Sequence, residues 1–326
     1  MKSKRRIFLW GMLTAGIILF IFSLTNGAVS TSPNTVWSAL FSFDPHDQMQ
    51  QIIRNLRLPR VIAAFLVGSS FAASGALMQA VTNNPLADAG LLGINSGASL
   101  GLALSFVLFP NQSLGAVVFS FIGACFAAVC IYLVTRFSAQ GISSVRLVLA
   151  GVAFSSFFSA LSQSLSLFFD LQQDLAFWFV GGAASVTWTR LLQSLPIFLF
   201  ALVGSLLIAV QLNVLSFGDE TAISLGKKPT RIRGISLFLV VLLAGAAVSL
   251  VGPVSFIGLM VPHVVRRISS SYRYVVPFSI IGGGLLVMAA DLAARLINPP
   301  FETPFGLLLS MIGVPFLLYQ IRRSVR

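Results

Sequence analysis

The chain has 326 residues, 56% of them hydrophobic and only 9% charged, with a mean hydropathy of +0.93. Soluble domains carry roughly 25% charged residues, so the composition excludes a soluble globular protein and points to an integral membrane protein. The net charge of +12 lies in short clusters beside apolar runs, as the positive-inside rule expects, and forms no continuous basic face for nucleic acid.

A span needs about 20 apolar residues, so there is room for about ten, joined by modest loops. No hydrophilic stretch is long enough for a soluble domain, and residues 1–326 read as one all-α transmembrane domain. Lys2, Lys4, Arg5 and Arg6 precede a first span at about 7–28. That pattern resembles a signal peptide, but the many later spans make an uncleaved first helix the expectation. A polar segment, 30–57, leads to span two, from Pro59 to Val81, where Gly68, Ala72, Ala76 and Ala80 form a small-residue stripe for close helix packing. A turn at 83–88 breaks it. Span three, about 91–109, opens with Gly93, Gly97 and Gly101, a second close-packing face. Span four, about 114–135, holds Cys125 and Cys130, read as small core residues without disulfide or metal role.

Span five, about 142–168, places Ser155, Ser159, Ser162 and Ser166 on one helical face. Such a stripe suits a wet translocation pathway or tight helix contact, and serine occurs in both. A mixed segment, 170–188, has room for a short half-buried helix before span six at about 191–212.

The loop 213–230 differs from everything around it. Asp219 and Glu220 follow Gly218, where carboxylates favour a helix N-terminus, and Gly226 and Pro229 stop the helix after about two turns. Ala222, Ile223 and Leu225 supply a small apolar surface, and Lys227, Lys228, Arg231 and Arg233 mark the cytoplasmic side. A short amphipathic helix in that position fits docking to a soluble partner; an ordinary interhelical loop is the plainer alternative.

Span seven is about 232–251. The piece 252–267 that follows is short for a span, and spans nine and ten are about 275–297 and 304–321. Charge decides whether the short piece crosses. With ten crossings most lysines and arginines fall on one side, leaving Arg54, Arg57, Arg60, Arg190 and Arg295 opposite; without it they divide almost evenly. Ten spans with both termini cytoplasmic follow. Asp291 lies inside span nine one turn from Arg295, which reads as a local ion pair. His263, beside Pro262, reads as a structural hydrogen-bonder, and the two distant histidines make no metal site of recognisable spacing.

Six motifs converge. They are Arg57-Leu58-Pro59-Arg60, Asn84-Pro85-Leu86-Ala87-Asp88, the run 92–98, Leu215 to Gly226, Phe256-Ile257-Gly258-Leu259, and the run from Val261-Pro262-His263 to Arg266-Arg267. Over residues 54–322 the chain closely resembles the FecCD-type permeases, membrane subunits of type II ATP-binding-cassette importers for iron-siderophores, haem and cobalamin. The resemblance implies a dimer of permeases, identical or paralogous, with two cytoplasmic ATPase subunits below and an extracytoplasmic substrate-binding protein above. It places a coupling helix at Gly218, Asp219, Glu220, Ala222, Leu225 and Gly226. Arg57, Arg60 and Arg295 match family arginines that meet the binding protein, with lipid-phosphate anchoring as the alternative. Asn84, Pro85, Asp88, Pro262, His263, Arg266 and Arg267 fall in its structural and gating motifs. Two departures, Glu302-Thr303-Pro304 for Glu-Leu-Pro and Ser269-Ser270-Ser271 where glycine is common, concern the rim and the substrate rather than the class.

No G-x-x-x-x-G-K-[ST] loop occurs, since Gly226-Lys227-Lys228 lacks the upstream glycine and the hydroxyl. ATP and magnesium therefore belong to partner subunits, and this chain is expected to bind no cofactor and catalyse no reaction. The expected function is a permease in the bacterial cytoplasmic membrane, carrying iron-siderophore complexes along a pathway that Ser155, Ser159, Ser162 and Ser166 help to line. Haem or cobalamin is the alternative cargo within the family. An ion-coupled secondary transporter would need more intramembrane acids than Asp291. An intramembrane enzyme would need a catalytic constellation, and no H-E-x-x-H occurs.

Overall fold

The computed structural model describes residues 2–27, 29–109, 113–136, 144–299, 301 and 303–324; Ala28, Ile142, Glu302 and Arg326, which figure above, lie outside them. The described residues form helices and no strand. In chain order these are α1 (Lys2–Thr25), α2 (Pro33–Phe41), α3 (Gln48–Ile52), α4 (Leu58–Thr82), α5 (Ile94–Leu108), α6 (Ser113–Arg136) and α7 (Ser144–Phe168). Then come α8 (Gln172–Val180), α9 (Trp188–Leu215), α10 (Asp219–Ser224), α11 (Pro229–Val251), α12 (Ile257–Arg266), α13 (Tyr272–Ile297) and α14 (Phe305–Ser324). Among the described residues, seven helical segments are long and apolar enough to cross a membrane, while α5, α12 and α14 are shorter apolar helices. The expected all-α bundle of about ten membrane segments is what forms.

Helix α4 is the axis of the bundle, buried along most of its length and packed on α9, α11, α12 and α13. Two glycines permit this. A Cβ on Gly68 would stand 2.1 Å from the Gly283 carbonyl oxygen, and one on Gly75 would stand 2.1 Å from that of Gly258. The backbones meet where no larger residue fits, the small-residue packing of membrane helices. The second small-residue face is shorter than expected. Gly97 and Gly101 do pack on α6, but Gly93 has φ +63° and caps α5 instead of lying on its face.

The segment 30–57 is less of a loop than its polarity implies. α2 and α3 occupy much of it, and the rod from Gln48 to Thr82 is continuous, so span two starts well before Pro59. The rod holds a π-turn at Ile53–Arg57, with the Leu58 amide bonded to the Ile53 carbonyl. Pro59 explains it: the ring has no N–H to offer and presses on the carbonyl one turn back, so the helix widens locally.

The short piece after α11 does cross. α11 starts beside α10 and ends where the Gly182 amide donates to the Val251 carbonyl at 2.8 Å. From there Gly252–Phe256 is non-helical, and α12 carries the chain back to Arg266, which donates to the Tyr272 hydroxyl at 3.1 Å. Tyr272 is tied in turn to Asn213, just before α10, by an N–H bond of 2.7 Å to its side-chain oxygen. Five residues at up to about 3.3 Å each plus ten at about 1.5 Å can reach at most about 30 Å, enough for a bilayer core. Arg5 stacks 4.2 Å from the Tyr274 ring, and Phe316 of α14 meets His263. α1 therefore starts, and α14 finishes, at the end that carries α10. We call this the loop end and the opposite one the arginine end.

Gly75→Val is expected to lower the temperature at which the detergent-solubilised chain stays monodisperse, since overpacking costs about 1–3 kcal/mol or more. Gly234→Ala, whose methyl meets nothing within 4 Å, should leave it unchanged. Size-exclusion profiles after heating measure both, and equal behaviour would refute the close approach of α4 and α12.

Candidate functional site

At the loop end, α10 is held by three local devices. Gly218 enters it at φ +98° and Gly226 leaves it at φ +70°, conformations that glycine adopts without strain. The Lys227 amide donates to the Ala222 carbonyl and the Gly226 amide to the Ile223 carbonyl, both at 2.9 Å, the pair of bonds of a Schellman cap. Arg233 donates to Asp219 Oδ2 at 2.7 Å, fastening the start of α10 to α11. Ala222 is fully buried beneath a helix that packs on α9 and α11.

The apolar residues split in two directions. Ala222 faces inward, while Ile223 and Leu225 are 63% and 59% exposed, joined by Phe217 at 70%. Glu220 is exposed beside them. Phe217 went unnoticed in the sequence because it precedes the helix. The result is a rigid two-turn projection with an apolar outer face.

The Asn84–Asp88 motif and α12 form one junction at the same end. Asn83 ends α4 at φ +50°, the Asn84 side chain accepts from the Leu86 amide at 2.9 Å, and Asp88 caps the 3-10 turn Ala89–Leu92. Burial pushes the Asp88 carboxyl above its usual range, partly offset by backbone N–H groups of Gly90 and Ala89. Its Oδ1 occupies the space a Cβ on Gly258 would need, at 2.5 Å. Pro262 leaves the Gly258 carbonyl without its helical donor, and the Gln79 side chain supplies one at 3.0 Å. Gln79 had no sequence signal, because nothing local links it to Pro262. His263 is half-buried with its ring 5.8 Å from Phe316, Arg266 meets Tyr272 and Arg267 is exposed.

The arginine end places the three expected docking arginines largely inside this chain. Arg57, Arg60 and Arg295, expected to meet a binding protein, are each only 7–8% exposed. Arg57 donates to the carbonyls of Leu24 at 2.7 Å and Thr25 at 3.2 Å, to the Thr31 hydroxyl at 3.2 Å, and to the Val29 carbonyl. Arg60 Nε pairs with Asp291 Oδ1 at 2.9 Å, and Arg295 Nε with Asp291 Oδ2 at 3.2 Å. Arg295 also donates to the carbonyls of Ser23 at 3.0 Å and Asn26 at 3.2 Å, and to the Ser23 hydroxyl. These cations fasten α1 and α4 to α13 and to the loop after α1. The local Asp291–Arg295 pair is present as read; Arg60, far off in sequence, is its unforeseen third member.

Beside Arg60 opens a cavity of about 690 Å³, lined also by Asp174, Trp178, Arg190, Ser249 and Phe305. Arg190 donates to the Ser185 carbonyl at 3.3 Å and to its hydroxyl at 3.4 Å.

The serine stripe turns inward within this chain. Ser162 and Ser166 are buried, and the Ser162 hydroxyl lies 2.7 Å from that of Ser99 on α5. Ser155 abuts Gly93. Ser162 and Ser166 thus pack toward the bundle while Ser155 and Ser159 are half-buried, and the surface α7 leaves open carries Val152, Phe157 and Leu167 together with Ser156, Gln163 and Ser164. Four hydroxyls at helical spacing share a face whichever neighbour that face meets, and here the neighbour is α5.

Residues 15–323 match the model of the FecCD transport family. The chain is 41% identical over 321 residues to the iron(3+)-hydroxamate import system permease protein FhuB of Bacillus subtilis, covering 97% of this chain and 84% of that one. It is 38% identical to the Fe(3+) dicitrate transport system permease protein FecC of Escherichia coli, covering 98% of each. Its fold superposes with a TM-score of 0.86 and 26% identity on a transporter described as of the metal-chelate ABC type, in an inward-facing conformation, covering 98% of this chain and 99% of that one.

Removing one partner from a buried ion pair costs about 3–5 kcal/mol, because the survivor stays buried and uncompensated. Asp291→Asn, and likewise Arg295→Glu, should therefore reduce the folded, membrane-inserted yield severalfold and lower thermal stability. Normal yield and stability in both would show that the cluster does not hold the bundle.

Proposed function

The chain belongs to the FecCD transport family, and from that premise we infer that it is the permease subunit of an ATP-binding-cassette importer for iron(III)-siderophore complexes. It is a multi-pass plasma-membrane protein and not an enzyme. The observation that carries the mechanism is the capped α10 projection, whose apolar face, Phe217, Ile223 and Leu225, lies exposed. The loop end bears Lys227, Lys228, Arg231, Arg266, Arg267 and Arg273, so it faces the cytoplasm, and both termini lie there. The arginine end then faces outward.

In this account two ATPase subunits, which bind ATP and magnesium, receive α10 of each of two permeases. A short helix fixed at both ends moves as a unit when they close. The bond from Tyr272 to Asn213 and the Arg266–Tyr272 contact link that region to α13 and α12, giving the motion a physical route into the bundle. An extracytoplasmic binding protein delivers the chelate at the arginine end, where the 690 Å³ cavity forms one wall of the entry. The iron travels inside its chelator, and alternating access between the two permeases carries it through. The 41% identity to a hydroxamate importer permease supports a siderophore cargo, with haem as the second reading because a hemin permease is 38% identical.

Ile223→Asp should leave membrane insertion intact while ATPase co-purification and uptake each fall at least about tenfold, the loss expected when a charge replaces an apolar anchor. Unchanged ATPase recovery would remove the coupling role of α10. Uptake of radiolabelled ferric hydroxamate should depend on this chain. Uptake of haem with none of the hydroxamate would reassign the cargo.

A further inference from the structure

Behind α10, between α9 and α11, lies a second cavity of about 400 Å³, lined by Gln211, Gly226, Lys227, Lys228, Arg231, Ile232 and Ile235. Of the four cations at Lys227, Lys228, Arg231 and Arg233, only Arg233 meets a carboxylate among the described residues, that of Asp219. Lys227, Lys228 and Arg231 are exposed, and the lining contains no acid to balance them. Three cations around one concavity make an anion site, and its floor identifies the anion. Ile235 in the lining leads one turn on to Phe238, and Gln211 leads one turn back to Leu207. Leu207 is 74% and Phe238 55% exposed, on faces of helices that cross the bilayer. Phe238 also lines an apolar cleft of about 400 Å³ between α6 and α11.

We propose that this cavity binds the phosphate headgroup of an anionic phospholipid, whose acyl chains descend along the exposed apolar residues of α9 and α11. A free phosphate would use the cations but not the apolar floor; an anionic lipid uses both, and basic pockets between helices at a cytoplasmic face take such headgroups. Gly226, whose φ of +70° ends α10, forms part of the wall. A bound headgroup therefore touches the turn that sets the angle of α10. The site rests on the cytoplasmic placement of the loop end proposed above and stands independently of the cargo.

The test titrates the purified full-length chain with phosphatidylglycerol or phosphatidylcholine and counts retained lipids by native mass spectrometry. The wild type should retain phosphatidylglycerol in preference to phosphatidylcholine, and added inorganic phosphate should not displace it. Lys228→Gln/Arg231→Gln should weaken that retention about 30-fold, at about 1 kcal/mol per cation. The charge-matched control Arg273→Gln/Arg322→Gln, away from the cavity, should retain it. Equal loss in both double variants, equal retention of the two lipids, or full displacement by phosphate would each overturn the proposal. So would unchanged lipid retention in Lys228→Gln/Arg231→Gln with loss of the ATPase subunit from the complex, which would assign these cations to the ATPase.

Discussion

One carboxylate, Asp291, stands between two guanidinium groups and joins α4, near the beginning of the chain, to α13, near its end, whose Arg295 reaches on to α1. It is fully buried, and an isolated charge in that position would be expensive. Arg60 and Arg295 make it tenable, and the carbonyl oxygens around Ser23 take up part of the remaining hydrogen-bonding capacity. Once α1, α4 and α13 are fastened at that end, the glycine contacts of α4 with α13 and α12 are positioned to close. The opposite end is built differently. Caps and turns shape α10 there, a few polar bonds such as that from Tyr272 to Asn213 tie it to the bundle, and apolar side chains are left exposed.

That contrast between a fixed end and a projecting end matches the work of a permease. A partner that pushes on α10 acts on a unit whose internal bonds are satisfied, so force passes into the helices rather than being absorbed by a flexible loop. The path inward runs through few contacts, Asn213 to Tyr272 and Tyr272 to Arg266, and then along α12 to the Gly258 carbonyl. There Gln79 replaces the bond that Pro262 cannot make. A proline inside a short crossing helix thus ties that helix to the central one, because the freed carbonyl must find a donor elsewhere.

Much of this was legible in the chain itself. Apolar length located the membrane segments, the run from Gly218 to Gly226 announced a capped short helix, and the spacing of Asp291 and Arg295 announced their pairing. What stayed hidden depends on tertiary neighbours. Arg60 meets Asp291 across 231 positions, and Gln79 serves a carbonyl 179 positions away. Periodicity placed four serines on one face but could not say that α5 covers it. The intrachain partners of Arg57 stayed hidden because most are backbone carbonyls, from Leu24 to Val29, which carry no side-chain signature.

The central claim is that separate ATPases drive iron-chelate import through this chain, and reconstitution tests it most directly. The chain, purified with its co-purifying subunits and placed in proteoliposomes with the binding protein, should take up ferric siderophore only when ATP is supplied to the α10 side. Ionophores that collapse proton and sodium gradients should have no effect. Uptake that proceeds without ATP and stops with the ionophore would contradict the account and make the chain an ion-coupled carrier.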